Sequence, residues 1–332
     1  MHNIIKKILF FFPIHLIFIK IKNYLYDNGI ISPTKIKAKV ISVGNISLGG
    51  AGKTPFTIAL SNFLKNKKGF AVGVVTRGYG RNNSNHNFLF NNHSWQDSGD
   101  EAMVLKNNLS PSIPVYISGD KILGAKELLK LGCDIIILDD AFQHRKLDRD
   151  IDVVLLSPDE LKNKNKRTFP WGLLREPFYN LGRADIIITT KMNLYTGQTP
   201  PSNSLPLNIS FQEELLSSDD ISKITVKQLS KLKNVMSLCG IGKPESFQRS
   251  LKSLDINVEK HLTYSDHHNF TKKDILTILS NIEEYNVCSI VCTEKDWVKL
   301  VDFKEEIGIP IYAVKLNYCL NKDIEDAVLC LL

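Results

Sequence analysis

Three glycines crowd around a lysine and a threonine in residues 45–55, NISLGGAGKTP. Glycine adopts positive φ values readily, so successive N–H groups of such a loop can turn toward one anion. A lysine followed by a threonine, between an apolar strand and a helix, is typical of a loop that binds nucleotide phosphates, although Ser47 replaces the first glycine of the usual GxxxxGK[ST] pattern. The predicted nucleotide-binding residues are Ser47, Gly49, Gly50, Ala51, Gly52, Lys53 and Thr54.

Two adjacent carboxylates end the apolar run 133–140, CDIIILDD. Asp139 and Asp140 would repel each other unless a cation or a proton relieved the repulsion, so we expect one of them to face a metal ion. In a phosphate-binding loop of this kind the threonine hydroxyl also binds Mg²⁺. Thr54, Asp139 and Asp140 are therefore the predicted metal ligands. The sequence leaves open which aspartate contacts the metal and whether Asp140 instead caps the next helix.

Four further motifs carry side chains that can transfer protons or bind phosphate. Carboxylate and imidazole groups are the usual acid–base catalysts, and arginine forks suit phosphate oxygens. The candidates, in chain order, are Arg77 and Tyr79 of TRGYGR (76–81), Asp100 of SGDEA (98–102), Arg175 of GLLREP (172–177) and His267 of DHHNF (266–270). Taken singly, each motif also fits a helix cap or an exposed surface. The tandem histidines of DHHNF fit a metal site as well, although no third ligand lies nearby in the sequence.

Short apolar strands alternate with helical segments from residue 38 onward, which predicts an α/β fold with a parallel sheet. Strands buried on both faces are predicted at 38–44, 71–76, 133–140, 151–156 and 184–190. A stretch with linker composition, 195–206, precedes a second, smaller α/β unit. The predicted domains are an N-terminal segment (1–37), a phosphate-loop kinase-like domain (38–205), and a linker strand with a C-terminal α/β domain (206–332).

The N-terminal segment concentrates the positive charge of the chain. Seven lysines and one aspartate lie within residues 1–39, whereas the whole chain has a net charge of +7. This local charge argues against nucleic acid as a partner. The apolar stretch Ile8–Ile19 would span ~18 Å as a helix, too short for the ~30 Å core of a bilayer. No small-residue cleavage site follows, which disfavours a signal peptide. We predict a helix that lies on an anionic membrane surface, and a helix packed on the protein's own core is the alternative.

Eight motifs in one order resemble the tetraacyldisaccharide 4′-kinase family, the lipid A 4′-kinases of Gram-negative bacteria. They are VGNISLGGAGKTP, TRGYGR, SGDEA, DDAFQHR, LLREP, GIGKPESF, DHHNF and TEKDWVKL. The resemblance implies transfer of the γ-phosphate of ATP, with Mg²⁺, to the 4′-hydroxyl of an acylated glucosamine disaccharide 1-phosphate. It also implies two α/β domains with the active site between them, and an N-terminal helix on the cytoplasmic face of the inner membrane.

Carried over by motif, the resemblance gives roles to single residues. Asp100 is similar to the base that takes the hydroxyl proton, and His267 to its partner across the cleft. Lys53, Thr54, Asp139 and Asp140 match the nucleotide and metal positions, and Arg77, Tyr79 and Arg175 resemble substrate or phosphate contacts. His144 of the FQH motif fits either an assisting or a structural role.

Three positions depart from the family pattern. Ala102 stands where proline is more frequent, Trp171 where alanine is usual, and Lys121 where an arginine is usual. Lysine lacks the two-pronged donor of arginine, so the Lys121 departure puts one phosphate contact in doubt. None of the three lies in the nucleotide loop.

A nucleotide-dependent switch on a similar scaffold, either a membrane-associated GTPase or a metal chaperone, is the alternative function. Guanine is normally selected by [NT]KxD, but here Asn193 stands at the aspartate position of the segment TKMN (190–193). A metal chaperone would be expected to carry a cysteine or histidine cluster near the nucleotide. The six cysteines contain no CxxC pair, which disfavours a metal chaperone. Asn193 disfavours a GTPase, so both forms of the alternative are disfavoured.

Overall fold

A computed structural model describes residues 14–82, 86–89, 93–162, 167–195, 197–219 and 224–332. The first part of the predicted membrane segment, residues 1–13, lies outside the described residues. Within the described ranges, no helix is both long enough and apolar enough to cross a membrane.

An eight-stranded sheet forms the first lobe. Its strands are β1 (Lys39–Gly44), β2 (Val72–Thr76), β3 (Asn87–Phe88), β4 (Val115–Ile117), β5 (Ile135–Asp139), β6 (Ile151–Leu156), β7 (Ile186–Thr190) and β8 (Leu205–Leu207). Their order is β3-β4-β2-β5-β1-β6-β7-β8, and every pair is parallel except β3 with β4. The central strands β5 and β6 are buried at every position and mostly apolar; the exceptions are Asp139 at the end of β5 and Asp152 in β6.

Helices form most of the connections between the parallel strands of this sheet, and one further helix precedes the first strand. A π-helical turn, Phe63–Lys67, continues the second helix, and 3₁₀ turns lie at Phe178–Arg183 and Met192–Leu194. The helices are α1 (Ile14–Asp27), α2 (Lys53–Asn62), α3 (Trp95–Ser98), α4 (Asp100–Asn108), α5 (Lys121–Lys130) and α6 (Pro158–Lys162).

A five-stranded sheet forms the second lobe, in the order β10-β14-β13-β11-β12. Only the edge strand β10 is antiparallel to its neighbour. The strands are β10 (Leu216–Ser217), β11 (Val235–Cys239), β12 (Lys260–Thr263), β13 (Ser289–Thr293) and β14 (Ile311–Val314). The helices are α7 (Val226–Leu229), α8 (Pro244–Ser253), α9 (Lys272–Glu284), α10 (Glu294–Leu300) and α11 (Lys304–Ile307), with a 3₁₀ turn at Val301–Phe303.

The chain crosses between the lobes twice. Strand β9 (Ile209–Phe211) leaves the first lobe and pairs antiparallel with β15 (Leu316–Tyr318), which returns to it. The last helix, α12 (Lys322–Leu331), then packs Ile324 and Val328 into the core of the first lobe. The sequence-based division assigned residues 206–332 to linker and second domain and did not include this return.

Candidate active site

The glycine-rich loop lies at the carboxyl end of the central strand β1 and leads directly into α2. Gly49 and Gly52 adopt φ values of 96° and 82°, in the region that favours glycine. Gly52 forms the N-cap of α2, so the free N–H groups of its first turn point out of the helix beside the loop. The Lys53 ammonium donates to Asn45 Oδ1 at 3.2 Å and lies 3.5 Å from Asp140 Oδ1. This arrangement can hold a polyphosphate.

One predicted loop residue faces elsewhere. The Ser47 hydroxyl donates to Glu160 Oε1 at 2.6 Å, and the same carboxylate oxygen accepts from Lys243 of the second lobe at 2.7 Å. Leu48 and the following loop residues line the cavity between the lobes, whereas Ser47 does not. Ser47 therefore ties the start of the loop to the second lobe.

The two aspartates at the carboxyl end of β5 have different surroundings. Asp139 is 2% exposed and accepts from the Thr54 hydroxyl at 3.4 Å and from the Thr57 hydroxyl at 3.1 Å. Burial, together with the negative charge of Glu101, raises the pKa of Asp139 to about 6. Burial acts in the same direction on Asp140, but the Lys53 and Arg175 cations outweigh it and lower the pKa of Asp140 to about 2.

These groups suit Mg²⁺ as donors. Among the described residues no cluster of three or more His, Cys, Asp or Glu side chains could hold a metal. Magnesium in nucleotide sites commonly takes only one or two protein oxygens and completes its shell with phosphate and water. The Thr54 hydroxyl and the Asp139 carboxylate supply such a pair of oxygens, whereas Asp140 is already engaged by Arg175 at 2.9 and 3.0 Å.

Asp100 and His267 meet across the two lobes. His267 Nδ1 lies 3.0 Å from both carboxylate oxygens of Asp100. Asp100 is the first residue of α4, and its Oδ1 accepts from the Glu101 N–H at 2.7 Å while its Oδ2 accepts from Lys299 at 2.9 Å. Burial alone would raise the pKa of Asp100, but the His267 hydrogen bond and the charges of Lys295 and Lys299 hold it well below its usual range. The carboxylate is therefore ionised.

A cavity of about 460 Å³ between the lobes joins the phosphate loop to this pair. His267 lines the cavity, whereas Asp100 is only 4% exposed and contacts the lining through the His267 ring. His267 Nε2 lies 4.0 Å from Glu101 Oε1 and 3.9 Å from Asp266 Oδ1. Three carboxylates thus surround one imidazole at the edge of the cavity.

The predicted substrate-binding side chains also line the cavity. The Tyr79 ring packs against the His267 ring, with centroids 4.6 Å apart and planes tilted by 50°. Arg77 follows the carboxyl end of β2. Arg175 is held at the nucleotide side of the cavity by its hydrogen bonds to Asp140. The structure therefore brings together Arg77, Tyr79, Arg175, His267 and the phosphate loop.

Several lysines at or beside the cavity belong to no motif that predicts their role. Lys191 donates to the Gly50 carbonyl at 3.2 Å and to the Ser246 hydroxyl at 2.8 Å, and burial lowers its pKa to about 8. Lys295 donates to Glu101 Oε1 at 2.5 Å. The motif TEKDWVKL contains both Lys295 and Lys299, but no local pattern indicates what a single lysine on a helix will meet.

Two positions left open by the sequence, His144 and Lys121, lie outside the lining of the cavity. His144 does not line the cavity, burial lowers its pKa to about 4, and its Nε2 is buried without a hydrogen-bond partner among the described residues. Lys121 is 4% exposed and donates to the main-chain carbonyls of Asp139 and Val75. The Lys121 ammonium therefore supports the ends of two strands and does not line the cavity.

A parallel α/β lobe with a phosphate loop, facing a second α/β lobe across a shared cavity, defines a two-lobed phosphate-loop phosphotransferase. A family model described as tetraacyldisaccharide-1-P 4′-kinase matches residues 8–332, and the chain belongs to this family. The family resemblance and the α/β fold class predicted from the sequence are thereby confirmed, and the protein is a kinase.

Individual relatives agree with this assignment. The tetraacyldisaccharide 4′-kinase of Syntrophus aciditrophicus (strain SB) is 33% identical over 93% of this chain and 88% of its own length. That of Aquifex aeolicus (strain VF5) is 34% identical over 90% of each chain. A crystal structure of LpxK from Aquifex aeolicus in complex with ATP is similar to this fold, with a TM-score of 0.73, 28% identity and 98% of each chain covered.

Proposed function

We propose that this protein transfers the γ-phosphate of ATP to the 4′-hydroxyl of tetraacyldisaccharide 1-phosphate, a step of bacterial lipid A biosynthesis. The observation that carries this proposal is the Asp100–His267 pair, whose histidine lines the same cavity as the phosphate loop. Phosphoryl transfer needs the donor phosphate and the acceptor hydroxyl to be held in line, and little covalent chemistry from the protein. A two-lobed cavity that binds phosphate on one wall meets that need.

The nucleotide half of the site belongs to the first lobe. Loop N–H groups and the Lys53 ammonium bind the β- and γ-phosphates of ATP. Arg175 contacts the same aspartate as Lys53, Asp140, and would therefore reach the same phosphates. Thr54 and Asp139 would hold Mg²⁺, which neutralises phosphate charge when bound. We assign Asp140 to positioning Lys53 and Arg175, because both cations already contact it.

The acceptor half of the site joins both lobes. Asp100 is the base in this proposal, and the hydroxyl proton would reach it through the His267 ring, which takes a proton at Nε2 and gives one to the carboxylate from Nδ1. Arg77 and Tyr79 would contact the disaccharide or its phosphate, since both line the cavity next to His267. The polar acceptor can reach these groups because the cavity opens between the lobes.

Helix α1 gives the protein a surface for the membrane on which such a lipid lies. Its contacts with the first lobe include two polar ones: Lys22 donates to the Gln143 carbonyl at 2.9 Å, and Asp27 pairs with Arg145 at 2.7 Å. Four of its large apolar side chains are more than half exposed and share one helix face: Ile17, Phe18, Ile21 and Tyr24. An exposed apolar face beside lysines suits the cytoplasmic surface of the inner membrane.

The decisive experiment supplies the purified protein with γ-labelled ATP, Mg²⁺ and the lipid disaccharide 1-phosphate in detergent. We expect label in the lipid, and none when the acceptor lacks its 4′-hydroxyl. GTP in place of ATP tests the switch alternative and should support little transfer. An unlabelled lipid, or equal transfer to the 4′-deoxy acceptor, would contradict the proposal.

A further inference from the structure

Helix α10 of the second lobe carries two lysines one turn apart that face the first turn of α4 in the first lobe. Lys295 donates to Glu101 Oε1 at 2.5 Å, and Lys299 donates to Asp100 Oδ2 at 2.9 Å. Lys295 lines the cavity, but Lys299 does not and is only 1% exposed. A lysine that reaches neither solvent nor the cavity can act on the reaction only through the carboxylate it contacts.

The helix that carries Lys299 and the turn that carries His267 are both hydrogen-bonded to Gly240. Asp296 Oδ1 accepts from the Gly240 N–H at 3.0 Å, and Oδ2 accepts from the Thr293 hydroxyl, which caps the start of α10. The Gly240 carbonyl in turn accepts from the His267 N–H at 3.1 Å. The start of α10 and the His267 turn are therefore linked through two consecutive contacts to one residue, Gly240. The second lobe presents both partners of Asp100 as one assembled unit.

The hydrogen bonds of Asp100 show what this unit does to the carboxylate. Oδ1 accepts from the Glu101 N–H, and Oδ2 accepts from Lys299, so each oxygen has a donor in addition to His267. His267 Nδ1 is equidistant from the two oxygens. Without Lys299, Oδ2 would be held by the His267 ring alone, and rotation of the carboxylate would misalign that ring.

We propose that Lys299 is a positioning residue for phosphoryl transfer, which holds the charged Asp100 carboxylate in the orientation that His267 requires. This inference rests on the proposed function, because it gives Lys299 a role in the same proton acceptor. It differs from a role in joining the lobes, which other contacts also provide. One of these is Asp302, which accepts from Trp95 Nε1 at 2.8 Å and from Gln96 Nε2 at 3.1 Å.

The test measures lipid phosphorylation by Lys299→Met and Lys299→Arg in the wild-type and the Asp100→Asn backgrounds. We expect Lys299→Met to lower kcat by about 10- to 100-fold, part of the ~10²–10⁴ that a positioned proton acceptor provides. The KM values for ATP and lipid should stay within about twofold, since Lys299 contacts neither substrate site. Lys299→Arg retains the charge and should recover kcat to within about fivefold of the wild type.

The Asp100→Asn background separates action through Asp100 from a general structural effect. Here Lys299→Met should change the residual rate by less than about threefold, because the carboxylate it positions is gone. Asp302→Asn is the matched control, since it weakens a contact between the lobes away from Asp100, and it should keep the wild-type kcat. If Lys299→Met does not fold, Lys299→Gln, which removes the charge but keeps a polar donor, makes the same comparison in the two backgrounds.

Three results would overturn the proposal: an unchanged kcat in Lys299→Met, a loss of equal size in both backgrounds for the variant that folds, or a loss expressed in KM alone. An inactive wild-type enzyme would refute the proposed function itself, and the role of Lys299 with it. An active wild type beside an unaffected Lys299→Met refutes only the positioning role.

Discussion

Replacing Asp100 by alanine should destabilise the protein as well as inactivate it. The substitution leaves the Lys299 ammonium, 1% exposed, without its carboxylate partner, and His267 cannot replace that negative charge. Removing one partner of a buried ion pair typically costs about 3–5 kcal/mol. We expect the free energy of unfolding to fall by about 4 kcal/mol, within that range. Asparagine, which keeps the shape and one acceptor oxygen, should cost less and is the better variant for kinetic work.

Removing both partners should restore most of the stability. Buried ion pairs contribute little net stability over apolar groups of similar volume, so Asp100→Ala with Lys299→Met should lie within about 2 kcal/mol of the wild type. The single variant should also respond to pH. An unpaired buried lysine has a lowered pKa in the folded state, so the unfolded state binds more protons at alkaline pH. The deficit of Asp100→Ala should therefore shrink as the pH rises from about 8 to about 10.

Urea denaturation followed by tryptophan fluorescence and by far-UV circular dichroism measures these free energies. Asp302→Ala removes an exposed acceptor between the lobes and should change stability by no more than about 1 kcal/mol, which makes it the control. A wild-type stability for Asp100→Ala, or a double variant whose loss equals the sum of the single losses, would refute the coupling of these two charges.

Four shorter predictions follow from the same structure. Gly49→Ala places a side chain at φ 96°, and ~1.4 kcal/mol of strain should weaken ATP binding about tenfold. Gly50 has open space around it and no positive φ, so Gly50→Ala should bind ATP nearly as the wild type does. The Lys191 charge is lost as the pH rises through about 8, so ATP affinity measured by nucleotide displacement should weaken above that pH, and Lys191→Met should remove the step. His144→Phe should keep kcat within about threefold because the ring lies away from the cavity; a larger loss would give His144 a catalytic role. Phe18→Glu should reduce sedimentation with anionic vesicles without changing activity on detergent-dispersed lipid, and unchanged sedimentation would place the membrane contact elsewhere.

The parts of the site that follow from the sequence are those built from neighbouring residues. The phosphate loop is specified by eleven residues that directly follow a strand and contain three glycines, a lysine and a threonine. The positive φ values of Gly49 and Gly52 are what that pattern predicts. The two carboxylates at the end of β5 could be predicted for the same reason, since a buried strand places its last residues at the sheet edge. Local pattern also gives the alternation of strands and helices, and hence the fold class.

The remaining parts depend on contacts between distant residues. Lys299 and Asp100 are 199 positions apart, and Lys191 and Gly50 are 141 apart. Each lysine lies in a segment whose local sequence fits a solvated side chain equally well. Helix α12 illustrates the same limit at the level of the fold, because its amphipathic pattern specifies a buried face but not which of the two cores that face will join.

Lys121 shows how a tertiary contact decides the meaning of a departure from a family pattern. If this side chain faced phosphate, exchanging arginine for lysine would remove a two-pronged donor and weaken substrate binding. In the structure its ammonium instead donates to the main-chain carbonyls of Asp139, at 2.5 Å, and Val75, at 3.3 Å. Two separate carbonyls need donors but no planar fork, so a lysine is sufficient. Lys121→Met should therefore disturb the strand end that carries Asp139, and affect metal-dependent ATP binding before it affects lipid binding.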